Sequence, residues 1–234
     1  MLRYSHMPQK TAWLLPAAIV IAGALVGVSL FFVRANSGAS DVSSLGALRP
    51  ITTEDHIVGS PSADVVIVEY SDIDCRYCKA FRSELEELMG EYAASGRVAW
   101  VYRHLPLTTS DPNGATHAEA AECAASLGGP RAFFEFIRAL NAAAPGTDRF
   151  DPTDYDRIST ALGLSVSEFD SCMAGSAFEE KVARDYKNAL RIGANGAPYS
   201  VVFARGQKPV PISGALPYAA LKKVVDDALA KIPE

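Results

Sequence analysis

The sequence predicts an α/β domain that contains a helical insertion and follows one transmembrane helix. Three observations carry this prediction. A β-branched run over residues 65–71 leads through a polar turn to Cys75 and Cys78, which open an amphipathic helix. Residues 108–192 are helical in pattern, and a β-hairpin with a final helix follows them. The expected order is therefore strand, helix, strand, several helices, two strands and a helix.

Residues 12–33 form a run of 22 residues without a charge, which is long enough to cross a bilayer as a helix. Arg3 and Lys10 precede the run, and the smaller positive charge after it places residues 1–11 in the cytoplasm and the rest outside. A cleavable signal has a shorter apolar core, so we expect an uncleaved signal anchor; cleavage after residues 37–39 is the alternative. Residues 34–49 are mostly small and polar and predict a flexible tether.

The composition argues against nucleic-acid binding. Three of the 22 Lys and Arg precede residue 36 and none of the 27 Asp and Glu does, which leaves 19 basic against 27 acidic side chains and a net charge of −8. A domain with this charge does not attract nucleic acid or anionic lipid. All four cysteines follow the predicted span, in a compartment where disulfides persist.

Cys75 and Cys78 form a Cys-x-x-Cys motif at the predicted start of the first helix. The first turn of a helix has unpaired N–H groups and a partial positive charge that favour a thiolate, so Cys75 is the expected nucleophile. Cys78 lies one turn further in, where it can attack a mixed disulfide on Cys75 and act as the resolving thiol. The alternatives are half of a structural zinc site and a pair of inert buried thiols. Because Cys123 and Cys172 stand apart and offer no second ligand pair, redox chemistry is favoured.

The remaining elements follow from hydrophobic periodicity and from helix start and stop signals. The second strand is predicted at 97–104 and is ended by Pro106. Helices are predicted over 114–127, from Pro130, from 151–152, from the capping box at Ser165, and from a second capping box at Ser176 to Gly193. The hairpin is predicted at 199–204 and 207–212, and the final helix at 216–229.

Four motifs occur in a fixed order along the chain. They are residues 68–72 leading into the Cys-x-x-Cys motif, residues 102–107 at the end of the second strand, residues 120–125 in the insertion, and Gly-Ala-Pro at 196–198 before the hairpin. This ordered set resembles the thioredoxin fold in its DsbA-like form, over about residues 50–234. The resemblance implies a thioredoxin-like domain made of residues 50–107 and 193–234, with the helical insertion at 108–192.

The resemblance also implies three supporting residues. In the family, the proline that matches Pro198 is cis and packs beside the active-site disulfide, and the residue before it, here Ala197, offers its backbone to a substrate strand. Glu69 lies where the family places a buried acid beneath the dithiol, so a proton could pass between it and Cys78. The alternative for Glu69 is a salt-bridged residue at a strand end.

The dipeptide between the cysteines departs from that of the family's best-known oxidant, which has Pro-His there. In this chain Arg76 supplies a positive charge and Tyr77 supplies a hydroxyl. We expect these two side chains to support a low pKa for Cys75.

Cys123 and Cys172 are predicted to form a second, structural disulfide. The cysteine count is even, the compartment is oxidising, and both residues fall in helices of the insertion. Two buried free thiols are the alternative.

Together these observations predict an anchored thiol–disulfide oxidoreductase of the bacterial cell envelope that forms disulfides in exported proteins. We expect no metal and no cofactor, and the resemblance implies a membrane-bound redox partner that reoxidises the dithiol. A disulfide reductase of the same fold is the nearest alternative, whereas an isomerase is disfavoured because no dimerisation module fits between the tether and the first strand. A copper metallochaperone is the alternative from another class, although its candidate ligands His56, His104 and His117 show no ligand spacing to the dithiol.

Overall fold

A five-stranded sheet forms the centre of the molecule, in a computed structural model that describes residues 44–107, 113–143 and 154–233. The strand order is β1-β3-β2-β4-β5; β2 and β3 are parallel and the other neighbours are antiparallel. The strands are β1 (His56–Val58), β2 (Val65–Ser71), β3 (Val98–His104), β4 (Tyr199–Ala204) and β5 (Val210–Ser213). The helices are α1 (Arg76–Tyr92), α2 (Gly114–Ala143), α3 (Tyr155–Ala161), α4 (Val166–Ala174), α5 (Glu179–Arg191) and α6 (Tyr218–Leu229).

The parallel pair of strands is buried on both faces. Every residue of β2 and β3 is buried, as expected for parallel strands that helices cover on both sides. On one face Val65 and Ile67 pack with Phe81 and Leu85 of α1, in a core that also contains α2 and α6 residues. On the other face Val66 and Val68 pack in a second core with residues of α5 and of the turn after it.

The strand β2, the helix α1 and the strand β3 form the βαβ unit that the sequence predicts. Their bounds lie close to the predicted ones, because each element has a periodic pattern and a clear stop signal. After α1 the chain turns at Gly96, whose φ of +62 is a left-handed conformation that glycine adopts without steric cost.

The insertion helices also follow the predicted pattern. The long helix α2 consists of two helical segments that meet at Gly129, where φ is +78, directly before Pro130. At the start of α4 the Ser165 hydroxyl accepts a hydrogen bond from the backbone N–H of Glu168, as the capping-box pattern predicts. The second predicted capping box is wrong, because α5 begins at Glu179 after Phe178, and no side chain caps it.

The predicted boundaries of the insertion need a correction. The range 108–192 includes α5, but α5 packs on β2 and β3 and so belongs to the layers that cover the sheet. Its Ala189 lies in the same core as Val68 of β2. The insertion proper therefore consists of α2, α3 and α4. An amphipathic pattern shows that a helix has an apolar face, but it does not show which element that face covers.

The predicted tether at 34–49 also needs a correction from residue 44 onward. Residues Ser44–Ala47 form a short 3-10 helix whose Leu45 is buried in the α5-side core. The Ser44 hydroxyl donates to the carbonyl of Ile192, and the Asn188 amide donates to the carbonyl of Ala47. These long-range hydrogen bonds fix a segment whose small, polar composition had predicted flexibility.

Arg103 ties the segment just after this 3-10 helix to the sheet. Its fully buried guanidinium donates to both carboxylate oxygens of Asp55, at 2.8 and 3.1 Å. It also donates to the backbone carbonyls of Arg49 and Pro50, each at 3.0 Å. The buried charge is therefore paired and fully hydrogen-bonded, which is the condition under which a protein interior tolerates one.

Two strands differ from the sequence prediction. The edge strand β1 was not predicted, because its three residues are too short to show an alternating pattern. The last strand begins at Val210 and not at residue 207.

No helix within the described residues is long and apolar enough to cross a membrane. The signal anchor predicted at residues 12–33 and the cytoplasmic tail predicted at residues 1–11 lie outside the described residues.

Cys123 of α2 and Cys172 of α4 form a disulfide, which closes a loop of 49 residues. The chain-entropy model gives about 4 kcal/mol for a loop of this length.

Replacing both cysteines of this disulfide by alanine should lower the free energy of unfolding by about 2 to 4 kcal/mol, measured by urea denaturation. The matched control is a Cys75→Ser, Cys78→Ser variant, which dithiothreitol should destabilise by the same amount. A reductant-insensitive unfolding midpoint in that control would contradict the prediction.

Candidate active site

The active-site turn connects the end of β2 to the start of α1. Its shape is fixed by the buried carboxylate of Asp72, which accepts hydrogen bonds from the backbone N–H of Asp74 at 2.9 Å and of Leu107 at 2.7 Å. Cys75 is the N-cap residue of α1, with extended φ and ψ, and its carbonyl accepts the N–H of Lys79. The sequence therefore places the first cysteine of the motif at the positive end of the helix.

The two active-site thiols are reduced in this structure and differ in exposure. Cys75 is half-buried, whereas Cys78 is fully buried one turn inside α1. A hydrogen bond from the Cys78 thiol, with further ones from the backbone N–H groups of Cys78 and Tyr77, lowers the pKa of Cys75 to about 7. Burial raises the pKa of Cys78 well above its ordinary value, and Cys75 and the Glu69 carboxylate raise it further. The arrangement suits Cys75 as the nucleophile and Cys78 as the resolving thiol.

The dipeptide between the cysteines faces solvent. The Arg76 guanidinium donates to the Tyr77 hydroxyl at 2.6 Å and its carbon lies 4.6 Å from the centre of the Tyr77 ring. The Tyr77 side chain is 55% exposed. Arg76 is thus directed towards its neighbour, while the groups that lower the pKa of Cys75 belong to Cys78 and the backbone of the first helical turn.

Glu69 lies in the middle of β2 and is completely buried. One carboxylate oxygen accepts the indole N–H of Trp100 at 2.9 Å. Burial raises the pKa of Glu69 to about 7, against the lowering influences of Arg82, Ser71 and Trp100. Because the Glu69 charge also raises the pKa of Cys78, the two groups lie close enough to influence each other. The salt-bridged strand-end alternative is wrong, since Glu69 is neither at the strand end nor in a direct ion pair within the described residues.

The loop before β4 forms the other side of the site. The peptide bond between Ala197 and Pro198 is cis, as the family resemblance implies. The Cys75 thiol lies 3.5 Å from the carbonyl oxygen of Ala197 and donates to it. A backbone carbonyl beside the nucleophile is a group to which an extended substrate segment can bind through its main chain.

The histidines of the metallochaperone alternative have other partners. His56 and His104 each share a hydrogen bond with the buried carboxylate of Glu122, at 2.9 and 2.8 Å. The remaining candidate, His117, shares one with the Tyr155 hydroxyl. In the part of the chain that the structure describes, no three His, Cys, Asp or Glu side chains form a group that could hold a metal ion.

Sequence reasoning missed three residues of the site, namely Asp72, Arg82 and Trp100. Arg82 follows Cys78 by four positions, which places the two on one face of α1, and it interrupts the apolar stripe of that helix. A charged residue within an apolar stripe could have been recognised from the sequence as a candidate site residue. Asp72 and Trp100 gave no such signal, because their contacts to Leu107 and Glu69 depend on the packing of separate segments.

A family model described as thioredoxin matches residues 52–227. The chain belongs to the thioredoxin family. The matched range of this thioredoxin-family protein includes the dithiol, Glu69, the insertion helices and the cis-proline loop.

Among solved structures, Pseudomonas aeruginosa DsbA2 is 22% identical with a TM-score of 0.64, over 80% of this chain and 100% of that one. Wolbachia pipientis alpha-DsbA1 is 20% identical with a TM-score of 0.66, over 80% of this chain and 96% of that one. These likenesses show that the fold is DsbA-like.

Two curated relatives that match this chain are named as Na(+)/H(+) antiporters. A protein of Salinispora tropica named Na(+)/H(+) antiporter NhaA 3 is 34% identical over 173 residues, which are 74% of this chain and 25% of that protein. A Mycobacterium protein named Na(+)/H(+) antiporter NhaA 1 is 31% identical over 167 residues, 70% of this chain and 26% of that protein. The thioredoxin-family chain thus spans about a quarter of the length of these relatives.

The contacts of Cys75 predict which substitutions change its pKa. Cys78→Ala should raise the pKa of Cys75 from about 7 towards the ordinary value of about 8.5, because it removes the strongest stabilising hydrogen bond. Arg76→Ala should change that pKa by less than about 0.5 units, because an exposed charge is screened by water. The measurement is thiolate absorbance near 240 nm against pH, with Cys75→Ser as the blank. An unchanged pKa in Cys78→Ala, or a rise of a full unit in Arg76→Ala, would contradict this assignment.

Proposed function

We propose that this protein is a thiol–disulfide oxidoreductase that forms disulfide bonds in exported proteins at the outer side of the bacterial membrane. The observation that carries the proposal is the asymmetry of the dithiol. The half-buried Cys75 has a lowered pKa and lies beside the backbone carbonyl of Ala197, whereas Cys78 is buried with a raised pKa. A substrate can therefore reach only one of the two sulfurs.

The reaction follows from this asymmetry. A substrate thiolate attacks Cys75 in the oxidised protein, the Cys75–Cys78 bond breaks, and Cys78 leaves as a thiolate that takes up a proton. A second thiolate of the substrate then attacks the substrate sulfur of the mixed disulfide. Cys75 leaves as a thiolate, the substrate carries a new disulfide, and the protein carries two electrons. A membrane-bound redox partner would remove these electrons and restore the Cys75–Cys78 bond.

The membrane location is supported by two observations. The uncharged run at residues 12–33 has the length of a transmembrane helix. In addition, relatives named as Na(+)/H(+) antiporters match this chain over only about a quarter of their length. We infer that in those relatives a thioredoxin-like portion is attached to a membrane protein. A membrane-attached position for this domain agrees with an anchor in the present chain.

The proposal predicts which cysteine variant accumulates complexes in cells. Cys78→Ser keeps the nucleophile but removes the resolving thiol, so mixed disulfides between Cys75 and exported proteins should accumulate in the membrane fraction. The matched variant Cys75→Ser should trap almost none, because Cys78 is buried. The complexes are counted on gels run with and without reductant. Equal trapping by both variants would mean that the nucleophile is assigned wrongly, and trapping by neither would contradict thiol exchange with proteins.

A disulfide reductase is the second candidate, and the pKa of Cys75 favours it. A value of about 7 is close to that of thioredoxin, which is a reductant, and well above the value of about 3.5 in DsbA. The reduction potential decides between the two candidates and can be measured by equilibration with glutathione. For an oxidase we expect a potential above about −200 mV, whereas a value near −270 mV would establish the reductase.

A further inference from the structure

The first turns of α2 lie against the turn that carries the nucleophile. Gly114 is the first residue of this helix, and a Cβ atom placed on it would lie 3.7 and 3.8 Å from the two carboxylate oxygens of Asp72. His117 follows about one turn later, and its Nε2 atom lies 3.8 Å from Oδ2 of Asp74. The insertion therefore meets both acidic residues of the turn that precedes Cys75.

The contact between His117 and Asp74 is sheltered from water. The His117 side chain is fully buried, and the Asp74 side chain is 2% exposed. A carboxylate in such surroundings needs a hydrogen-bond donor or a positive charge beside it, because burial removes its hydration. The imidazole of His117 can supply either, since Nε2 can carry a proton in both the neutral and the charged ring.

The Tyr155 hydroxyl, at the start of α3, determines which nitrogen of the imidazole faces Asp74 with a proton. It shares a hydrogen bond of 2.6 Å with Nδ1 of His117, and the Tyr155 ring meets the imidazole edge to face at 5.7 Å. If the hydroxyl donates to Nδ1, the neutral ring carries its proton on Nε2; in the charged ring both nitrogens carry protons. A neutral ring with its proton on Nδ1 would turn a lone pair towards the carboxylate, which is unfavourable. We call Asp74, His117 and Tyr155 the acid–imidazole chain.

The two acids of the turn matter because a negative charge beside a thiol disfavours the thiolate. The hydrogen bond from the Cys78 thiol is the strongest influence that lowers the pKa of Cys75, whereas the Asp72 charge raises it. Asp74 is joined to Cys75 by a peptide bond, so a charge on its side chain also acts over a short range. Towards these acids α1 presents the dithiol, and α2 and α3 present the other members of the acid–imidazole chain.

We propose that His117 is a positioning residue of the dithiol, which compensates the Asp74 carboxylate from the insertion and thereby holds the turn that presents Cys75. The turn and the cysteines belong to the thioredoxin-like domain, whereas His117 and Tyr155 belong to the insertion. The insertion thus acts on the reactivity of the dithiol, and only its effect on exported substrates rests on the proposed function.

The first test measures the ionisation of Cys75 in the full-length reduced protein in detergent, by thiolate absorbance against pH. His117→Phe keeps an aromatic ring beside Tyr155 but removes the N–H that faces Asp74. It should raise the pKa of Cys75 by about one unit, because the carboxylate is then uncompensated. His117→Gln should reverse most of this change, since its amide N–H can replace that of the imidazole.

The Asp74→Asn background separates this pairing from a general loss of stability. No carboxylate then remains to be compensated, so adding His117→Phe should change the pKa of Cys75 by less than about 0.3 units. The matched control is His56→Phe, because His56 is also a buried histidine beside a carboxylate, that of Glu122 at 2.9 Å, but lies in β1 and not at the turn. It should leave the pKa of Cys75 unchanged. An unchanged or lowered pKa in His117→Phe, or an equal rise in the Asp74→Asn background or in His56→Phe, would overturn the proposal.

A second measurement leaves the acid–imidazole chain intact and decides the question if His117→Phe fails to fold. In protein with isotope-labelled histidine, the Nε2 resonance of His117 is followed by NMR against pH. It should show a step at the pH midpoint of Cys75 ionisation, because the new charge acts on the same turn, and Cys75→Ser should remove that step. A His117 profile that is the same with and without the Cys75 thiol would overturn the proposal.

An alkylation experiment separates this proposal from the proposed function. The probe is iodoacetamide, which reacts with the Cys75 thiolate without any protein substrate, while burial shields Cys78. At neutral pH the rate in His117→Phe should fall about two- to fivefold, because less thiolate is present. An unchanged rate would contradict the part assigned to His117. If Cys78→Ser traps no exported proteins in cells, the proposed function fails, whereas these measurements on the purified protein keep their meaning.

Discussion

Burial of β2 on both faces is the constraint on which the active site depends. A parallel strand pair between α1 and α5 leaves no residue of β2 exposed, so Glu69 loses its hydration in the middle of the strand. Loss of hydration disfavours the charged carboxylate, which explains a pKa of about 7 in place of the ordinary 4.5. The layer that removes water from Glu69 also buries Cys78. The raised pKa values of Glu69 and Cys78 thus have burial between α1 and the sheet as their main cause.

The same packing makes two neighbouring thiols chemically different. Cys75 lies at the helix start, where backbone N–H groups are unpaired, and Cys78 lies one turn inside, where it meets apolar side chains and an acid. The hydrogen-bond donors that lower the pKa of Cys75 are the Cys78 thiol and the backbone N–H groups of Cys78 and Tyr77. Arg76 and Tyr77 instead shape the outer surface beside the nucleophile, where the Tyr77 ring is exposed.

Short-range patterns in the sequence were enough to predict the βαβ unit, the dithiol, the insertion helices and the final hairpin. Each of these has a periodic run with a stop signal, such as the apolar run of β2 or the Gly129-Pro130 break in α2. What the sequence did not show depends on contacts between distant segments. The edge strand β1 exists because β3 pairs with it, and residues 44–49 are ordered because Asn188 binds them. Arg82 was predictable only in part. The sequence shows its spacing from Cys78, but it does not show that the side chain is buried.

Two successive residues of β3 have their side chains on opposite faces of the sheet. Tyr102 faces α1 and contributes to the space beneath Cys78, whereas Arg103 points to the opposite face and holds Asp55. The segment that leads into the domain is therefore fastened on the α5 face, through Arg103 and through Asn188. These contacts lie on the side of the sheet opposite to α1, so the segment at residues 44–50 is held by groups other than those that set the chemistry of the dithiol.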